Sequence, residues 1–209
     1  AFDVNDELYT SIQPRIGLNY LLSNDIALKA SFATMTQFIN LLTSEALTLP
    51  TDLWVPSTER IKPQQSWQVA GGAAKTLWDE YEFSVEGYYK KMKNVISFKE
   101  GASFLFGLED DWQEKVTQGD GESYGAELFL QKKKGKTTGW VGYTLSWNYR
   151  QFDEINGGNK FPFRYDRRHD LSIVASHELT PKINISAAWI YGTGNAVSLP
   201  IYRYQVFEA

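Results

Sequence analysis

The chain has 209 residues, no cysteine and a formal net charge of −4; 43% of its residues are hydrophobic, 15% aromatic and 22% charged. That length suits one ordinary domain with a sizeable core, and the absence of cysteine excludes disulfides, zinc–thiolate centres and cysteine nucleophiles. An acidic balance without a long basic run argues against a nucleic-acid footprint, and no apolar stretch approaches the roughly 18 residues of a transmembrane helix.

Segments rich in Val, Ile, Tyr, Phe, Trp and Thr follow in pairs, each closed by a tight polar turn. The first pair covers roughly 14–22 and 26–37 around Ser23-Asn24-Asp25, and the second roughly 67–77 and 82–98 around Trp78-Asp79-Glu80-Tyr81. The third covers roughly 121–134 and 138–152 around Gly135-Lys136-Thr137. The fourth covers roughly 167–179 and 183–194 around Thr180-Pro181-Lys182. The links between pairs, about 38–66, 99–120 and 153–166, are much longer. Links of that length count against a compact fold, whereas outer-membrane barrels alternate short periplasmic turns with long extracellular loops.

Successive side chains on a strand point to opposite faces. One parity is apolar: Ile16, Leu18, Tyr20 and Leu22; Leu28 and Phe32; Phe83, Val85 and Tyr89; Val141, Tyr143, Leu145, Trp147 and Tyr149; Leu171 and Ile173; Ile183, Ile185, Trp189 and Tyr191. The other carries Lys29, Glu86, Lys90, Glu127 and Arg150, expected to line a wet lumen. Lys75, Lys91, Lys132 and His177 share the apolar parity but fall near segment ends. A lipid-facing lysine there costs about 0–1 kcal/mol, against about 2–4 at the bilayer midplane. Trp78 and Trp140 lie beside tight turns, while Trp147, Tyr149, Trp189 and Tyr191 approach the long links. Two such belts favour a membrane barrel over a β-sandwich with one watered face.

Glu86 and Glu127 lie on segments joined by one long link, so they are expected to be neighbours. With Lys29, Lys90 and Arg150 on the same face, a solvated charge network outweighs acid–base catalysis. His169 and His177 are eight residues apart, about 26 Å on an extended strand, and cannot share a metal. Glu109-Asp110-Asp111 reads as a mobile acidic loop rather than a cation site. Gly119-Asp120-Gly121 precedes no helix, so it is no phosphate cradle. Without a nucleophile elbow or serine–histidine–acid set, no enzyme is expected, and no cofactor or metal. The Asn184-Ile185-Ser186 sequon has no assigned role. Phe163-Arg164-Tyr165-Asp166-Arg167-Arg168-His169-Asp170 is the densest charged and aromatic run. It offers Arg164, Tyr165 and Arg167 for ligand capture, or else a salt-bridged rim. Asp52 and Trp54, between Pro50 and Pro56, sit on a stiffened loop that loses little entropy on binding.

Several runs resemble the barrel of TonB-dependent outer-membrane receptors, especially those of Bacteroidetes-type bacteria. They include Pro14-Arg15-Ile16-Gly17-Leu18-Asn19-Tyr20, Leu49-Pro50-Thr51-Asp52-Leu53-Trp54-Val55-Pro56 and Val85-Glu86-Gly87-Tyr88-Tyr89-Lys90. Ser123-Tyr124-Gly125-Ala126-Glu127-Leu128, Gly139-Trp140-Val141-Gly142-Tyr143-Thr144-Leu145-Ser146-Trp147 and Tyr165-Asp166-Arg167-Arg168-His169-Asp170-Leu171 continue the match. The resemblance implies an all-β fold: about eight antiparallel transmembrane strands from the interior of a 22-stranded barrel, without its plug domain, TonB box or terminal aromatic strand. It implies import of a scarce nutrient energised by TonB. The partners implied are the outer-membrane bilayer, the plug and remaining strands, the TonB complex, the small nutrient ligand and a surface lipoprotein, with an outer-membrane location. The competing expectations are a soluble β-sandwich carbohydrate-binding module and a complete eight-stranded structural barrel. No signal peptide is expected at Ala1.

Overall fold

A computed structural model of the chain describes residues 2–4, 7–42, 53–99 and 111–197. Its strands are β1 Phe2–Val4, β2 Glu7–Tyr9, β3 Arg15–Ser23, β4 Ile26–Gln37, β5 Ile39–Leu42, β6 Leu53–Pro56 and β7 Gln64–Leu77. They continue with β8 Tyr81–Phe98, β9 Val116–Lys132, β10 Thr137–Gln151, β11 Phe161–Pro162, β12 His169–Thr180 and β13 Ile183–Gly192. The main sheet runs β13-β12-β10-β9-β8-β7-β4-β3, each strand antiparallel to the next, with β11 beside β10. The four hairpins read from the sequence are β3–β4, β7–β8, β9–β10 and β12–β13. In the second, Trp78 and Asp79 both adopt positive φ, 51° and 53°, the handedness that matches the twist of paired strands.

The register confirms two unlike faces. One row across all eight long strands reads Tyr20, Leu28, Ala73, Val85, Leu128, Tyr143, Leu171 and Tyr191. The adjacent row, on the opposite face, reads Asn19, Lys29, Gly72, Glu86, Glu127, Thr144, Asp170 and Gly192. On the apolar face the rings of Trp67, Tyr89, Tyr124 and Trp147 follow one another from β7 to β10, with centroids 5.5, 6.4 and 5.2 Å apart. Cross-strand aromatic pairs of this kind contribute roughly 0.2–1 kcal/mol each.

The expected transmembrane barrel does not form. Among the described residues β13 pairs only with β12 and β3 only with β4, which leaves two free edges. A barrel requires its first and last strands to exchange hydrogen bonds. Residue alternation is the same in an open and a closed sheet, so it carries no information on closure. An open sheet encloses no lumen, and the expected nutrient-importing receptor has no passage here. The partners that presuppose a closed membrane wall lose their basis: the outer-membrane bilayer, the plug and remaining barrel strands, the TonB complex and a surface lipoprotein. The outer-membrane location falls with them, and the complete eight-stranded barrel falls on the same two edges. Among the described residues no helix is long and apolar enough to cross a membrane.

The buried apolar residues cluster at the long-link end. Leu42, Val55, Ile61 and Val116 pack with Ile96, Phe98 and Trp112, seating the small β5–β6 ribbon. Met92, Val95 and Phe152 pack with Ile155 and Phe161. A bulge in β8 between Met92 and Val95 brings both residues inward. At this bulge Asn94, with φ 56°, donates to the Pro63 carbonyl at 3.0 Å. The long links therefore hold packed structure that the sequence pattern does not announce.

Candidate functional site

Chemistry-bearing side chains gather on the polar face and on the 163–168 turn above it. Glu86 and Glu127 are direct register partners on β8 and β9. Lys29 shares their row, separated from Glu86 by Gly72. A Cβ on Gly72 would lie 2.4 Å from the Val85 carbonyl oxygen and 3.2 Å from the Glu86 Cβ, so the strand stays bare between the two charges. On the same face an open cleft of about 330 Å³ is lined by Gly17, Asn19, Lys29, Ser31, Ala70 and Glu86 among others.

Further toward the long links, β9 presents Gly121, Ser123 and Gly125 in succession on the polar face. Neighbouring side chains lie across these glycines. The Arg150 guanidinium from β10 occupies the space over Gly121, where a Cβ would approach its Nη1 to 2.1 Å. The Tyr88 ring from β8 crosses Gly125, where a Cβ would meet it at 3.0 Å. Ser123, between them, is in register with both Lys90 and Asn148.

Arg150 is held by soft contacts. Its guanidinium lies 4.3 Å from the centre of the Phe163 ring, and Nη1 donates to the Met92 sulfur at 3.3 Å. Burial pulls its pKa down from the ordinary guanidinium value to about 10. Lys90 is lowered as well, first by burial and then by the Arg150 charge, as desolvation and a like charge both disfavour a cation.

From Arg150 the contacts climb to the rim. The Phe163 ring meets Tyr165 edge-on at 5.3 Å, and the Arg164 guanidinium lies 5.1 Å from the Tyr165 ring centre. Asp166 staples this turn to β10. Its buried carboxylate accepts from the Asn148 backbone N–H at 2.7 Å and from Arg168 at 2.9 Å, while Arg168 stacks over Trp147 at 4.8 Å. Tyr165 remains 54% exposed on a turn whose backbone is fixed.

The structure thus joins Arg150, Arg164 and Tyr165 through Phe163, whose spacer role depends on a fold-back that sequence spacing does not encode. It does not join all the candidates. Arg167 turns toward β13, pairing with Asp170 at 3.0 Å and lying against Gly192. Trp54 is exposed on the separate β5–β6 ribbon, and Asp52 lies outside the described residues, as do Glu109 and Asp110. Asp111 caps a short 3-10 turn, accepting from the Gln113 N–H at 3.0 Å. His169 and His177 bond separately, to Tyr143 and Thr137, each at 2.8 Å. Among the described residues no group of His, Asp and Glu is placed to hold a metal ion.

Neither a curated protein nor a solved structure matches the chain. The family model described as TonB dependent receptor-like, beta-barrel matches residues 2–205, nearly the whole sequence, and the chain belongs to that family.

Proposed function

We propose that the chain is an interior portion of its family's β-domain and a non-enzymatic binding element, whose polar face and rim take a carbohydrate-type ligand. The observation that carries this reading is the series of contacts Arg150–Phe163–Tyr165–Arg164. It runs from the polar face to an exposed ring held on a stapled turn. Aromatic rings take the apolar faces of sugars, and guanidinium groups hydrogen-bond their hydroxyls and acidic substituents. A turn already fixed by Asp166 loses little entropy when a ligand settles on it. The polar row with Lys29, Glu86 and Glu127 extends the surface with donors and acceptors.

Calorimetric titration of the full chain with a panel of oligosaccharides tests the reading. Tyr165→Ala is expected to weaken binding about tenfold, the scale of one lost ring contact, with strand content by circular dichroism unchanged. A chain that binds no member of the panel, or binds equally well without the Tyr165 ring, would refute it.

A further inference from the structure

We infer that Lys90 and Arg150 form an anion subsite over Ser123, which selects ligands carrying a carboxylate or another acidic group; this rests on the binding reading above. Two cations share one face with one strand between them, and among the described residues neither makes an ion pair. The carboxylates around them are displaced or engaged elsewhere. Glu86 sits four residues back along β8, in register with Glu127 rather than with Lys90. Glu122 belongs to the opposite face, where Lys160 holds it. Asp166 is occupied by Arg168 and the Asn148 N–H, and Glu154 by Lys99.

The seat is built rather than incidental. Gly121 has no side chain, which leaves the guanidinium room to lie against the strand, and Phe163 and Met92 fix it from either side. A ring and a thioether orient a guanidinium without neutralising it, so its N–H groups remain available to an incoming oxyanion. Ser123, on the strand between the two cations and in register with Lys90, adds a hydroxyl to the same face. Asn148, in the same row, carries a buried side-chain oxygen with no partner. Lys90, Ser123 and Asn148 thus share one register row, Arg150 lies one row further along the same face, and among the described residues no carboxylate pairs with either cation. A partly desolvated cation gains more from an oxyanion than an exposed one does, because charge-assisted bonds strengthen as water is excluded.

The test is calorimetry on the full chain with three probes: an oligosaccharide of uronic acids, its neutral counterpart of equal length, and inorganic phosphate. The acidic sugar is expected to bind about tenfold or more tightly than the neutral one, as for one charge-assisted contact. Arg150→Met and Lys90→Met should each bring the acidic sugar's affinity down to that of the neutral sugar measured on the same variant, and Arg150→Lys should retain part of the preference. Tyr165→Ala should weaken both sugars alike. Phosphate binding that competes with the acidic sugar, and is lost in both methionine variants, supports the subsite as a general oxyanion seat. Equal affinity for acidic and neutral sugars overturns the subsite and leaves the binding reading standing. Binding of neither sugar overturns both. Should Arg150→Met lose its strand signal, Lys90→Met decides the matter alone.

Discussion

At the scale of single residues, the polar face depends on what β9 omits. Gly119 and Gly121 are two residues apart, yet a methyl group at each meets a different obstacle. At Gly119 it would lie 2.1 Å from the Gln151 backbone oxygen and 2.5 Å from the Phe152 ring, neither of which can move without disturbing the β9–β10 pairing. At Gly121 it would meet the end of a flexible arginine. Gly119→Ala is therefore expected to cost about 1–3 kcal/mol in urea unfolding, and Gly121→Ala under about 1 kcal/mol while displacing Arg150 and weakening anion binding. Proton linkage gives a second test. A base whose folded pKa lies below its unfolded value binds fewer protons when folded, so stability rises with pH across that interval. For Arg150 the interval runs from about 10 up to the ordinary guanidinium value; the cost of its charge is fully present below it and relieved within it. Lys90 shifts in the same direction; Glu86 and Tyr88 from β8 and Glu127 from β9 also face this region. The stability of Arg150→Met relative to the parent chain should therefore fall as pH is raised from about 9 to 11.5. A difference that stays level with pH would remove Arg150 as its source.

At the scale of elements, the hairpins were legible because alternation and turn residues act locally. Ser23 to Asp25, Trp78 to Glu80 and Pro181-Lys182 each interrupt a period-two pattern, and the strands meet there in register. The β5–β6 ribbon was not legible, since four-residue strands give too few alternations to stand out from a link. Nor was the β8 bulge, where Asn94 takes a left-handed conformation that its identity permits but does not announce. Nor was the contact of Phe163 with Arg150, which arises from the turn folding back on β10, a non-local event. The packing at the long-link end predicts a graded response. Phe152, 3% exposed between Met92 and Val95, should cost about 3–5 kcal/mol on truncation to alanine. Its loss should also loosen the Arg150 seat, since Met92 shares that cluster. Replacing Trp78-Asp79 by Asn-Gly is expected to raise the melting temperature, because both positions adopt positive φ and the new pair adopts it at lower cost.

At the scale of the whole molecule, residue patterns distinguish an apolar from a polar face but not a closed from an open sheet. The same row from Tyr20 to Tyr191 would be read in either. Closure depends on whether β3 meets β13, and both are exposed along their whole length. The binding role requires only the polar face and its rim, not closure. The absence of cysteine from the chain makes disulfide trapping the most direct test of openness. Asn19→Cys is paired in turn with Asn184→Cys, Ser186→Cys, Ala188→Cys or Ile190→Cys across the two edges. Asn19→Cys with Lys29→Cys, direct register partners, serves as the positive control, because a disulfide needs Cα atoms within about 7 Å. Openness predicts that under mild oxidation only the control closes within a monomer; an intramolecular disulfide between β3 and any of the four β13 positions would contradict it.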